Sequence, residues 1–172
     1  MAKCAMHKGR DIPKVHIPDE LLAERRLQVL HGYFQWWIQV LREEFGNEKA
    51  KELAVQWGRK KGIHTARLYG AYFKKKGIAL NDLPAIMFEI GRSAGILGER
   101  SQGWVEGNKA VVQTLVCPTG KMFVELGLGL DCCVQQCDAF MEETWKAIPD
   151  IDYKRTRGID KDDFCEWEHW KK

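Results

Sequence analysis

The chain is predicted to be α+β, an N-terminal helical half followed by an antiparallel sheet of about four strands in two hairpins with two intervening helices. Three observations predict this. Apolar residues recur at intervals of three and four through residues 18–98. The pattern then changes to β-branched runs on either side of Gly107-Asn108, a two-residue hairpin signal. Two further alternating segments close the chain. Runs of helices followed by antiparallel strands are the α+β pattern.

Residues 1–17 are basic and unpatterned and read as an arm; residues 18–172 read as one domain, with a helical half 18–98 and a sheet-containing half 101–172. Pro18 with Asp19 and Glu20 marks a helix start. Leu27, Leu30, Phe34, Trp37, Leu41 and Phe45 form its expected stripe, and Gly46 its end. Asn47 caps a second helix carrying Ala50, Leu53, Ala54 and Trp57, which closes near Gly62. A third runs from Ile63 to Lys76 and stops at Gly77. Asn81 and Asp82 start a fourth, with Leu83, Ile86, Met87, Ile90, Ala94 and Leu97 on one side and Gly95 and Gly98 at its end. Trp104 to Glu106 and Lys109 to Cys117 make the first hairpin. Short helical patterns follow at Gly120–Leu126 and, capped by Asp131, to about Ala147, before Pro149. Ile151 to Arg157 and Phe164 to Lys171 are the last two strands.

A chain of 172 residues, 45% hydrophobic and 30% charged, is of ordinary globular composition. A net charge of +3 is too small to demand a polyanion. The basic run Arg59, Lys60, Lys61, His64, Arg67 and Lys74 to Lys76, with Tyr69, Tyr72 and Phe73 among it, reads as a solvated helix face rather than a nucleic-acid surface. No apolar run reaches the ~20 residues of a membrane span, and the N-terminus has no secretory apolar core. The expectation is a cytoplasmic protein with reduced thiols, no nucleic acid and no membrane. Self-association is compatible with this composition.

Five of the six cysteines lie between Cys117 and Cys165. Such crowding points to metal binding, nucleophilic chemistry or disulfides. Cys117 falls at a strand end before Pro118. Cys132 and Cys133 fall in a first helical turn, where unpaired N–H groups stabilise a thiolate. Cys133 and Cys137 share a helix face, a spacing that suits two ligands of one metal and equally suits core packing beside Phe140, Met141 and Ile148. Cys165, Trp167 and His169 alternate on one strand face, and His169 reads as a rim residue. Cys4 and His7 lie in the arm. No CxxC, HExxH, GxSxG or P-loop pattern is present. A metal site would have to be assembled by the fold from Cys117, Cys133, Cys137 and Cys165; zinc or iron–sulfur suits such thiolates. Arg155, beside Tyr153 on its strand face, reads equally as a holder of a ligand carboxylate and as half of a surface ion pair. Glu89 and Glu125 are candidate proton-transfer carboxylates.

Taken in order, VCPTGKMFVELGL, DCCVQQCDAF and IDYKRTRGIDKDDFCEWEHW resemble the L-2-amino-thiazoline-4-carboxylic acid hydrolase family. The elements that carry the resemblance are Cys117-Pro118, Glu125-Leu126-Gly127, Cys133 to Cys137, Arg155-Thr156 and Cys165 to Trp167. It covers most of residues 20–170. The C-terminal part is similar, more distantly, to the 4-vinyl reductase domain, a small-molecule-binding α+β module that often holds zinc through cysteines. Tryptophan stands at 167 where phenylalanine is usual. The first resemblance implies hydrolysis of a cyclic amidine: water adds at ring position 2 and the ring opens to a carbamoyl-cysteine. It implies Cys117, Cys133, Cys137 and Glu125 as chemical groups, the four thiols as a zinc cluster, and Arg155, Tyr153 and Trp167 around a small substrate bearing a carboxylate. The second implies a non-catalytic sensor module.

Overall fold

A computed structural model describes residues 19–96, 98–148 and 150–172. The basic arm, Pro18, Leu97 and Pro149 lie outside the described residues. Three long helices come first: α1 (Asp19–Phe45), α2 (Asn47–Lys76) and α3 (Leu83–Ile96). The hairpin β1 (Arg100–Glu106) and β2 (Lys109–Val116) follows, then α4 (Pro118–Glu125), α5 (Leu130–Lys146) and the hairpin β3 (Ile151–Arg157) and β4 (Cys165–Lys171). The four strands form one antiparallel sheet in the order β1-β2-β4-β3. The fold is α+β, helices first and hairpins after. Gly107 takes φ +61° in the first hairpin turn, a conformation that favours glycine.

The helical half departs from the sequence reading in three places, the smallest being that the second helix is capped by Gly46, with Asn47 its first residue and no side-chain cap. The second and third expected helices are one continuous helix of 30 residues. Gly62, read as a stop, is buried in its interior with Gly58. A methyl group at Gly62 would press on the Phe140 carbonyl, and one at Gly58 on that of Gln136. These glycines bring α2 close against α5. The true stop is Gly77, in a left-handed conformation that caps Phe73 and Lys74 carbonyls.

In α1 the covered face is Phe34, Ile38 and Leu41, which pack with Met122, Phe123, Leu128, Cys132 and Cys133. Leu30, Trp37 and Phe45, expected on that stripe, are 52%, 66% and 61% exposed. The helix is apolar on two faces, so periodicity alone did not select the buried one. A second cluster draws on α2, α3, the end of α5 and the sheet: Phe73, Leu83, Ile86, Ala110, Trp145, Ile148 and Ile151. Between the two clusters, α3 and α5 lie over the inner sheet face, and the space they leave holds the candidate site.

Candidate ligand-binding cavity

The inner face of β4 follows strict alternation. Cys165, Trp167 and His169 are buried, and Glu166, Glu168 and Trp170 are not. His169 is 1% exposed, a correction to the rim position read from sequence. It packs on Trp145 of α5 at 4.8 Å between ring centroids, and Tyr153 of β3 backs Trp145, Trp167 and His169 at 6.1–6.5 Å. Above this aromatic floor a cavity of about 230 Å³ opens. Its walls come from Tyr69 and Lys61 of α2, Met87 and Ile90 of α3, Val112 and Thr114 of β2, and Gln136, Phe140 and Met141 of α5, with Glu99 at one side. The lining is mainly apolar and aromatic with a few polar groups, the usual make-up of a small-molecule site.

On this wall Trp145 Nε1 has no hydrogen-bond partner, and the imidazole nitrogens of His169 have none beyond a poorly aligned contact with the Ala110 backbone. A buried polar group left unpaired is costly. Burial holds the His169 imidazole down to about 4, with a backbone group of Ala110 offsetting part of this. The ring is therefore neutral at pH 7, with one nitrogen donating and the other accepting.

Three of the predicted thiols reach the cavity: Cys117, Cys133 and Cys137. Cys117 is the N-cap of α4. Its Sγ accepts from the Gly120 N–H at 3.3 Å, with Pro118 at the first helical position. A hydrogen bond from the Cys133 thiol, helped by the Gly120 and Thr119 N–H groups, holds Cys117 well below the ordinary thiol range. Cys133 keeps the proton of that pair and is pushed up, as burial also requires. Burial likewise raises Cys137, with Cys165 and Cys117 adding to it. The thiolate of a helix start is thus Cys117 and not the Cys132-Cys133 doublet. The cap of α5 is Gly129 at φ +84° rather than Asp131, and Cys132 turns towards the Lys51 carbonyl in the α1/α2 core, pushed up to about 11 by burial and by Asp131. Cys117 is expected to take up iodoacetamide at pH 7 at least ~10-fold faster than the other described thiols. Peptide mapping after partial labelling measures this, and preferential labelling of Cys132 or Cys137 contradicts it.

The remaining predicted groups lie elsewhere. Cys165 is buried beside the thiols of the cavity wall, accepting from the Ile159 N–H at 3.3 Å. Arg155 is already engaged: its Nε and Nη2 bind both oxygens of Asp138 at 2.9 and 3.0 Å, and it does not line the cavity. Glu125 is half exposed near Gln35 and Lys121, off the cavity. Glu89 of α3 accepts from Tyr72 of α2 and from Arg92, and does not line the cavity. Tyr69 and Phe73 turn inward from the basic run of α2, while Tyr72 stays beside Lys76, whose Nζ lies 5.8 Å from the ring centre. Trp167 is on the cavity wall, and Tyr153 stands one layer behind. Among the described residues no group of three or more His, Cys, Asp or Glu is arranged to hold a metal. The thiols pair with each other and with backbone N–H groups instead of converging on one point, so they do not fit the expected zinc cluster. Reading the sequence also missed Glu99, whose carboxyl burial pushes up while Lys61 opposes it. Nothing local marks it; it is placed by the turn from α3 into β1.

No helix of the described residues is long and apolar enough to cross a membrane. No protein-family model matches the chain, and no curated protein matches it. Among solved structures it is similar to the crystal structure of the phenol-responsive sensory domain of the transcription activator PoxR with phenol. The identity is 12%, over 82% of this chain and 74% of that one, with a TM-score of 0.55. At that identity the likeness is one of fold, helices laid over an antiparallel sheet, and the cavity described above lies between those layers.

Proposed function

We propose that the chain is a small-molecule-binding module of the sensory type, and that its ligand is a compact apolar ring bearing a hydroxyl. The observation that carries this is the unpaired Trp145 Nε1 beside the buried, neutral His169 ring on the wall of a mainly apolar cavity. A hydroxyl oxygen accepts from the indole N–H, and its proton goes to the free imidazole lone pair. With the two rings 4.8 Å apart, one such group reaches both. The size agrees: an engineered apolar cavity of ~150 Å³ takes benzene, and this one is about 230 Å³. The phenol-responsive neighbour supports the ligand class.

The test is calorimetric titration with phenol, toluene and benzene. Phenol is expected to bind roughly 10-fold more tightly than toluene, the worth of about one hydrogen bond. Trp145→Phe is expected to remove that preference while leaving toluene binding unchanged. Equal affinity for the three rings, or a preference that survives Trp145→Phe, sinks the reading.

A second reading keeps one specific observation: Cys117, the thiol that its hydrogen bonds hold low, faces the same cavity. It supports a hydrolase opening a 2-aminothiazoline-4-carboxylate-like ring, with Cys117 as the attacking sulfur. The distinguishing result is turnover of that substrate, lost in Cys117→Ser. Binding of phenols without turnover favours the sensor module.

A further inference from the structure

The outer face of α1 carries a second apolar stripe. Val29, Tyr33, Trp36 and Val40 fall within a narrow arc, flanked by Leu30 and Trp37, and these six side chains are 46–66% exposed. Val29, Tyr33, Trp36 and Val40 lie roughly 140° around the helix from the Phe34, Ile38 and Leu41 face that packs on the body of the protein, and Leu30 and Trp37 lie between the two. The three aromatics alone leave on the order of 400 Å² open, as much as the largest patch of an ordinary monomer, ~300–600 Å².

The charges bordering the stripe say what covers it. Arg25 and Arg26 stand exposed at the N-terminal end, and Glu43 and Glu44 at the C-terminal end. Arg25 and Glu43 are about five helical turns apart and lie along one border; Arg26 and Glu44 lie along the other. From these positions we infer that the face pairs with the same face of a second copy, helix against antiparallel helix, about a two-fold axis passing between residues 34 and 35. That axis sets Arg25 against the partner's Glu43 and Arg26 against the partner's Glu44, each within one residue's rise. Both ends of the pair make these contacts, so four opposite-charge contacts frame the interface. Val29 meets the partner's Val40, and Tyr33 and Trp36 meet at the centre. A parallel pairing would set arginine on arginine and glutamate on glutamate. Leu30 and Trp37, just outside the Arg26 and Glu44 border, extend the apolar area towards the ~800 Å² per partner of a stable interface.

Analytical ultracentrifugation of the full chain tests this. The wild-type chain, 19.9 kDa, is expected to sediment as a dimer at micromolar concentration. Arg25→Glu with Arg26→Glu turns all four contacts into like-charge ones and is expected to weaken the dimer on the order of 100-fold. Glu43→Arg with Glu44→Arg does the same. The variant carrying all four reversals restores every contact with its sign exchanged, and it is expected to regain the dimer, a recovery that misfolding cannot mimic. Trp36→Glu, at the centre, is expected to give a monomer with a wild-type helical spectrum. A wild-type monomer at every concentration, as when residues 1–18 or another protein cover the stripe, overturns the inference. So does a dimer indifferent to the charge reversals, or a four-reversal variant that stays monomeric.

Discussion

Gly62→Ala is expected to destabilise the protein by about 2–3 kcal/mol, although it places the best helix former in the interior of a helix. Helix propensity by itself favours the change by ~1 kcal/mol. The opposing effect is larger because the added methyl meets the Phe140 carbonyl and the Glu143 Cβ. The carbonyl belongs to the backbone of α5, so no rotamer change relieves the contact and the helices must separate. Gly58, one turn earlier, meets the Gln136 carbonyl in the same way. The melting temperature should fall by roughly 4–12 °C for a chain of this size. Gly70 supplies the internal control. It lies in the same helix with nothing within 4 Å of an added Cβ. Gly70→Ala is expected to raise the melting temperature by a few degrees, up to ~1 kcal/mol. Equal effects at positions 62 and 70 would falsify close approach as the reason for the buried glycines. The change also reaches the cavity, because Gln136, Cys137 and Phe140 stand on the stretch of α5 that must move.

The same glycines show how far sequence reading went. Periodicity located the helices, and turn chemistry at Gly107-Asn108 located the first hairpin, because both signals are local. Gly62 was misplaced because a glycine that ends a helix and one that admits a neighbouring backbone look alike in one dimension. The deciding partner, Phe140, is far away along the chain. The phase of α1 failed for a related reason. Two apolar faces compete there, and only the packing of Phe123 and Leu128 decides which is covered.

At the site, alternation correctly set Cys165, Trp167 and His169 on one face of the last strand. It did not say that α3 and α5 would close over that face and bury His169. A helix start does lower a thiol in this protein, but at α4 and not at α5. Cys-Pro-Thr-Gly is itself a cap followed by proline at the first helical position, and that signal points to Cys117. Arg155 illustrates the limit for ligand assignments. A bidentate arginine is legible as a chemical type, but its carboxylate is supplied by Asp138 of the protein.

His169 gives the second large expected effect, a loss of stability on mild acidification. The unfolded chain protonates this ring near its ordinary value of 6.5, whereas the buried ring resists until about pH 4. Between those values the unfolded state binds the extra proton, so lowering the pH favours unfolding. The contribution is present in full above about pH 6.5 and is lost progressively as the pH falls to about 4, a total on the order of 3 kcal/mol. Glu99 acts in the opposite sense, since burial raises its carboxyl and protonation favours the folded form. The effect must therefore be read as a difference between wild type and His169→Phe, which keeps an aromatic wall without the nitrogens. Chemical denaturation from pH 7.5 to 4.5 is expected to show a gap between the two that changes by at least ~2 kcal/mol across the window. A constant gap would mean that the ring is solvated or paired in the folded protein. Binding of a hydroxyl ligand needs only the neutral ring of the folded state. Phenol affinity should then stay level down to about pH 5, while stability is already falling. Separate midpoints for binding and stability are the signature of a histidine kept neutral by burial at the wall of a ligand cavity.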